Sequence, residues 1–192
     1  MSMAATSSKM MHLGATAPQF TLPDVSTGEK VSLEDFKDKR ALLVMFICKH
    51  CPYVMHVKQA LIDLGKDYTD RSLGIASISS NDPRAYPEDA PERLAILAAE
   101  FSFPLLYDET QVVAKAYQAA CTPEFFLFDS DRRLVYRGQL DDSRPGNNQP
   151  VTGRDLRRAI DAVLAGKPVD PNQRASIGCS IKWKPGNKPD YA

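Results

Sequence analysis

Ala41-Leu42-Leu43-Val44-Met45-Phe46-Ile47-Cys48-Lys49-His50-Cys51-Pro52 is the stretch on which the reading of this chain turns. Residues 41–48 are an unbroken apolar run, the pattern of a central parallel strand covered on both faces. From Pro52 onward, Val54, Val57, Leu61, Leu64 and Tyr68 recur at helical spacing, and a proline is tolerated in a first helical turn. The sequence therefore predicts a buried strand running into a helix, with a Cys-x-x-Cys at the junction. Thiol–disulfide exchange is the chemistry of such a junction. Two intervening residues let one turn bring both sulfurs within bonding distance. The partial positive charge and orphan N–H groups of a helix N-terminus stabilise a thiolate, the nucleophilic form. Lys49 and His50 add charge of the same sign. Cys48, the first thiol, is expected to be exposed and to attack. Cys51, one turn further in, is expected to be buried and to resolve. A cation at His50 favours the reduced form and makes the pair more oxidising.

Two other readings compete. A Cys-x-x-Cys is also half of a zinc site, but zinc takes four ligands, and the remaining cysteines, Cys121 and Cys179, stand singly. Two inert buried cysteines are the other. No metal and no cofactor is expected. The chain has 192 residues, 43% hydrophobic and 25% charged, which suits one domain with a sizeable core. Lys+Arg and Asp+Glu balance at 24 each, so neither nucleic acid nor membrane is called for as a partner. No apolar run reaches membrane-spanning length, and the first fifteen residues lack a signal-peptide core. Four cysteines are too few for a disulfide scaffold, so a cytoplasmic, reducing setting is expected.

Working outward, residues 1–14 are small and polar and are expected to be disordered. Phe20 and Leu22 alternate before the turn Ser26-Thr27-Gly28-Glu29, which reads as a hairpin, and Ser32 can cap a short helix. Downstream, Leu73–Ile78 reads as a strand. Pro91 opens a helix carrying Leu94, Leu97, Ala98 and Phe101. Asp108–Ala119 reads as a helix with Val112, Val113, Ala116 and Tyr117 inward. Phe125–Phe128 and Leu134–Arg137 read as a strand hairpin about Asp129–Arg132, and Leu156, Ile160, Val163 and Leu164 as a last helix before Gly166 and Pro168. The division expected is a domain over 15–167, with 168–192 an extension packed on it. Alternating strands and helices followed by a hairpin mean an α/β, three-layer architecture, a mixed sheet with helices on both faces.

This order, with Thr122-Pro123 ahead of the Phe125 strand, resembles the thioredoxin fold. The resemblance implies a cis bond at Pro123 and a backbone edge there for an incoming peptide. Ala17-Pro18-x-Phe20-x-Leu22-x-Asp24 is similar to the redoxin branch, which includes the AhpC/TSA-like and TlpA-like proteins. The segment Phe46 to Tyr53, the loop Asp141-Asp142-Ser143-Arg144-Pro145-Gly146 and the tail Ser176 to Lys184 resemble peroxiredoxin-like thioredoxin-family proteins. The likeness runs over about residues 14 to 186. It implies a thiol–disulfide oxidoreductase acting on a protein or small-molecule disulfide, with a separate thiol electron donor.

The departures bear on activity. Ile47 stands where thioredoxins have Trp, and Leu42 where they have a buried Asp for proton transfer. Cys51 matches the peroxidatic position of peroxiredoxins, but Cys48, Val44 and Pro123 stand at or near the places of their Thr, Pro and Arg. An antioxidant peroxidase is the alternative activity. A copper-binding protein of this fold is a third, and it lacks a His after His56. Cys121 should lie near the site, as a third thiol or a buried small residue. Cys179 is a possible third redox thiol. Asp82, Asp141 and Arg144 border the site or form turns. Ile177, Ile181 and Trp183 in the tail suggest that it folds back onto the domain.

Overall fold

A computed structural model of the chain describes residues 5–68 and 71–192. The apolar run becomes strand β4 (Ala41–Phe46), all six residues buried. Its flank is built from β5 (Leu73–Ser79) and β6 (Leu105–Tyr107) on one side and from β8 (Glu124–Phe128) and β9 (Leu134–Gly138) on the other. The sheet order is β6-β5-β4-β8-β9, parallel through β6, β5 and β4 and antiparallel from β4 to β9.

Side chains alternate across a strand, so β4 serves two cores. Ala41, Leu43 and Met45, with Ile47 just beyond, meet helices α1 (Pro52–Tyr68), α2 (Pro91–Ala98) and α4 (Arg154–Leu164) through Val57, Leu61, Leu94, Leu156 and Ile160. Leu42, Val44 and Phe46 face α3 (Val112–Ala116) and the hairpin of β2 (Thr21–Pro23) and β3 (Lys30–Ser32), through Phe20, Leu22, Val113 and Tyr117. Each fully buried Leu or Phe contributes roughly 1.5–3 kcal/mol. Helix-side and hairpin-side cores thus enclose the sheet in three layers.

Two expected helices are shorter than their sequence pattern. The helix from Pro91 ends at Ala98, short of Phe101, whose ring stacks on Phe103 at 4.7 Å. The helix expected over Asp108–Ala119 is only Val112–Ala116. Asp108 is fully buried and accepts bonds from Ser80 Oγ and the Ala114 N–H, both at 2.9 Å. Gln111 takes a left-handed φ of 62° and donates to the Ser80 and Lys182 carbonyls. These tertiary ties hold 108–111 as a turn. The strand β6 just before it has no counterpart in the sequence reading.

The expectation of disorder over residues 1–14 is corrected for the part described. β1 (Ala5–Ser7) pairs with β10 (Ile177–Ser180), which pairs in turn with β7 (Cys121–Thr122). Polar side chains do not prevent order here, because backbone N–H and C=O groups make the ladder. Residues 1–4 lie outside the described part. In the tail, Ile181 is buried and Trp183 is partly buried against the hairpin-side core, whereas Ile177 is 41% exposed. No described helix is long and apolar enough to cross a membrane.

Candidate active site

Helix α1 starts at Pro52, so Cys51, not Cys48, is the residue at its cap. The Cys51 carbonyl accepts the first helical bond, from the Met55 N–H at 3.0 Å, and its sulfur accepts the Val54 N–H, as a capping side chain does. Cys48 lies in the loop between β4 and α1. Both residues have no exposed surface, so exposure does not separate them. The sequence premises for Cys48 as the attacking thiol, greater exposure and the helix start, are therefore corrected.

Thr122 bridges the pair. Its Oγ1 lies 3.3 Å from Cys48 Sγ, and its carbonyl oxygen 3.2 Å from Cys51 Sγ. The Thr122–Pro123 bond that follows is cis. A further sulfur completes the cluster: Cys179 Sγ sits 2.8 Å from Cys51 Sγ. The register explains it. Cys179 is paired with Thr122 across β10 and β7, so their side chains leave the small sheet on one face. Cys121 pairs with Ser180 on the opposite face, and its sulfur meets Pro123 O, Glu124 Oε2 and Ser176 O at 3.9–4.0 Å. The structure thus joins Cys48, Cys51, Cys179 and Thr122, and turns Cys121 away.

The charge follows these contacts. Hydrogen bonds from Cys179 and Cys48, together with Thr122 and the helical N–H, outweigh burial and hold Cys51 well below the ordinary thiol range. Cys48 is pushed up by burial, by its bond to Cys51 and by the nearby Asp89 charge. Cys179 is pushed up by its bond to Cys51 and by burial. Burial and the Glu124 charge push up Cys121. These contacts pull Cys51 toward the thiolate and hold Cys48, Cys121 and Cys179 toward the thiol.

Lys49 and His50 do not offer free positive charge to the thiols. Lys49 Nζ pairs with Glu88, and His50 Nδ1 with Asp89 Oδ2. Asp89, fully buried, also accepts the Lys49 N–H at 2.8 Å, the His50 N–H at 3.1 Å and Asn81 Nδ2 at 2.8 Å. Burial pushes its carboxyl up, but the His50 and Asn81 bonds hold it below its ordinary value. His50 stacks on Tyr86 with ring centroids 4.4 Å apart. Asp89 thus fixes the loop that carries the motif, and the sequence holds no pattern that singles it out: it lies in a short turn between Pro87 and Pro91, without periodicity.

Cys48, His50 and Asp89 place one donor atom each within 4.8 Å of one another. His50 Nδ1 is already committed to Asp89, and the set has three members where a closed structural zinc site needs four. Asp82 pairs with Arg84. Asp141 accepts the N–H groups of Ser143, Thr152 and Gly153 at 2.6–2.8 Å, fixing the loop into α4. Arg144 donates to the Asp141 and Ser143 carbonyls and to Gln139. Turn chemistry accounts for all three. Arg144 also lines a small groove with Tyr53, His56, Pro123, Ser143 and Ile177, beside the cis bond. A larger cleft lies between α4 and the tail, and no cysteine lines it.

A model of the AhpC/TSA family matches residues 13–137. The chain belongs to that family. Among relatives, this AhpC/TSA-family chain is 27% identical over 153 residues to the thiol-disulfide oxidoreductase ResA of Geobacillus kaustophilus, covering 79% of this chain and 78% of the relative. It is 28% identical over 150 residues to the thioredoxin-like protein YneN of Bacillus subtilis, covering 77% and 78%. A crystal structure of an uncharacterized conserved protein from Geobacillus kaustophilus superposes with a TM-score of 0.94 at 54% identity, over 97% of this chain and all of that one. A thiol:disulfide interchange protein DsbE, so titled as putative, from Chlorobium tepidum gives a TM-score of 0.63 at 20% identity over 80% of this chain and 98% of that one. That likeness shows the fold alone, which is thioredoxin-like, and the family match puts the chain in the redoxin branch of that fold.

Proposed function

We propose that this protein is a thiol–disulfide oxidoreductase whose redox couple is Cys48 and Cys51, with Cys51 as the attacking thiolate. The observation that carries this reading is Thr122 touching both sulfurs, with Cys51 capping α1. The names of the ResA relatives support the class of reaction. In the proposed cycle the Cys51 thiolate attacks a substrate disulfide, forming a mixed disulfide and releasing one substrate thiolate. Cys48 then attacks Cys51 Sγ, its proton passing to the second leaving sulfur, and the Cys48–Cys51 disulfide remains. A separate thiol donor restores the couple. The groove beside Pro123, with Arg144 and His56 on its walls, is the place for an extended disulfide-bearing peptide, docked on the backbone edge at the cis bond.

This assignment reverses the order expected from the sequence, and trapping decides between them. With an insulin disulfide substrate, Cys48→Ser should accumulate a mixed disulfide through Cys51, most fully when Cys179 is also Ser. Cys51→Ser should accumulate none. A mixed disulfide through Cys48 in the Cys51→Ser protein would restore Cys48 as the attacking group. No insulin reduction by the native protein would remove the reading altogether. A cytoplasmic, reducing setting belongs to the same proposal.

A further inference from the structure

The couple just proposed uses two thiols, yet Cys51 has a sulfur on each side. Cys179 Sγ, at 2.8 Å, is within about 1 Å of the length of a covalent S–S bond, about 2.05 Å. Its position is built rather than incidental. β10 is held from both edges, by β1 and by β7, with Cys179 opposite Ala5 on one side and Thr122 on the other. Gly178 lets the strand approach: a Cβ there would lie 2.0 Å from the Thr122 carbonyl oxygen. The Ser8 N–H bonds to the Ser176 carbonyl at 2.9 Å, and Ser176 Oγ donates to the Gly138 carbonyl. Both ends of the described chain are thus committed to holding one thiol against Cys51.

We infer that Cys179 shares Cys51 with Cys48, so that the oxidised protein interchanges between a Cys48–Cys51 and a Cys51–Cys179 disulfide. The inference rests on the proposed Cys48–Cys51 couple. In the interchange the Cys179 thiolate attacks Cys51 Sγ. The Cys51–Cys179 bond forms, the Cys48–Cys51 bond breaks, and the electron pair leaves on Cys48. Cys48 takes up the proton that Cys179 has shed. The two-electron oxidation stays in the protein, supplied earlier by the substrate disulfide. The consequence is an oxidised state in which Cys48 is a free thiol again while Cys51 is locked to the tail. In the reductive direction the donor then has two bonds to attack, one beside the motif loop and one beneath the tail strand.

Trypsin separates the four cysteines, which makes the linkages readable. Cys48 falls in 41–49, Cys51 in 50–58, Cys121 in 116–132 and Cys179 in 175–182. The test is oxidation of the full chain with glutathione disulfide, acid quenching, alkylation of free thiols and mapping of cross-linked peptides. The native protein should yield both 41–49/50–58 and 50–58/175–182. Cys48→Ser should pass through a glutathione adduct at Cys51 and end as 50–58/175–182. Cys179→Ser, checked for native circular dichroism, should yield 41–49/50–58 alone. A Cys48→Ser protein that stays glutathionylated at Cys51 with no link to 175–182 overturns the sharing, and it does so with Cys179 untouched. A well-folded Cys179→Ser protein that forms no 41–49/50–58 link overturns the underlying couple instead.

Discussion

Cys51 has two thiols, a helical N–H and the Thr122 hydroxyl as donors around one sulfur, while the Thr122 carbonyl oxygen can only accept from it. Its thiolate should therefore persist in the native protein well below about 8.5, the ordinary thiol value. Ultraviolet thiolate absorbance followed against pH should show one such thiolate, and Cys51→Ser should abolish it. A persisting signal in that variant, lost instead in Cys48→Ser, would move the charge to Cys48. Asp89 acts on the same loop from below. Bonds to a buried charged group are worth about 1.5–3 kcal/mol each, so Asp89→Ala should cost about 3 kcal/mol in urea unfolding. Glu124 provides a pH signature. Burial holds its carboxyl above its ordinary 4.5, even though the N–H groups of Ala120 and Cys121 pull the other way. The folded state thus keeps a proton that the unfolded chain releases. The contribution is complete below 4.5 and is lost as pH rises through the elevated value. Stability should fall with rising pH across that window, and Glu124→Gln should flatten the slope. Peroxide reduction should be slow, since the resemblance to peroxiredoxins puts Cys48 at, and Pro123 near, the places of the Thr and Arg donors that stabilise charge on the leaving oxygen. Hydrogen peroxide consumption matching theirs would contradict this.

The strands around the site depend on close backbone approach more than on apolar burial. Gly178→Ala would put a methyl 2.0 Å from the Thr122 carbonyl, and no flexible side chain is there to yield. It should lift β10 from β7, cost a few kcal/mol in thermal unfolding and raise the alkylation rate of Cys179 by maleimide. Unchanged stability and unchanged Cys179 reactivity would mean that the strand shifts without leaving the site. These elements also show what can be read before a fold is known. β4 and α1 were legible because each carries its own period, unbroken burial in Ala41–Phe46 and a helical recurrence of Val54, Val57, Leu61 and Leu64. α3 was overextended because Asp108 and Gln111 take partners 28 to 71 residues away. β1, β7 and β10 were illegible for the same reason: short strands of mixed polarity owe their existence to one another. The Cys-x-x-Cys announced the chemistry, but which thiol caps the helix depended on where α1 begins.

At the scale of the whole molecule, the two disulfides open to Cys51 differ in the loop they close. Cys48 and Cys51 enclose four residues, whereas Cys51 and Cys179 are 128 positions apart. On a chain-entropy argument the first bond stabilises the fold by roughly 2 kcal/mol and the second by roughly 5 kcal/mol. Oxidised Cys48→Ser protein should therefore show a larger rise in Tm over its own reduced form than oxidised Cys179→Ser does over its own. Equal rises would indicate that the long-range bond strains the native state by as much as it restrains the unfolded one.

The same separation orders events in time. Translation runs at about 5–20 residues per second, so on the order of 6–26 seconds pass between the making of Cys51 and that of Cys179, 128 residues later. Throughout that interval the nascent chain carries Cys48 and Cys51 with no tail strand to seat the third sulfur beside them. Until Cys179 is made, the nascent chain can form only the short-range bond of the two. The third sulfur arrives long after the first two, and the choice between disulfides opens only when β10 has found its place between β1 and β7.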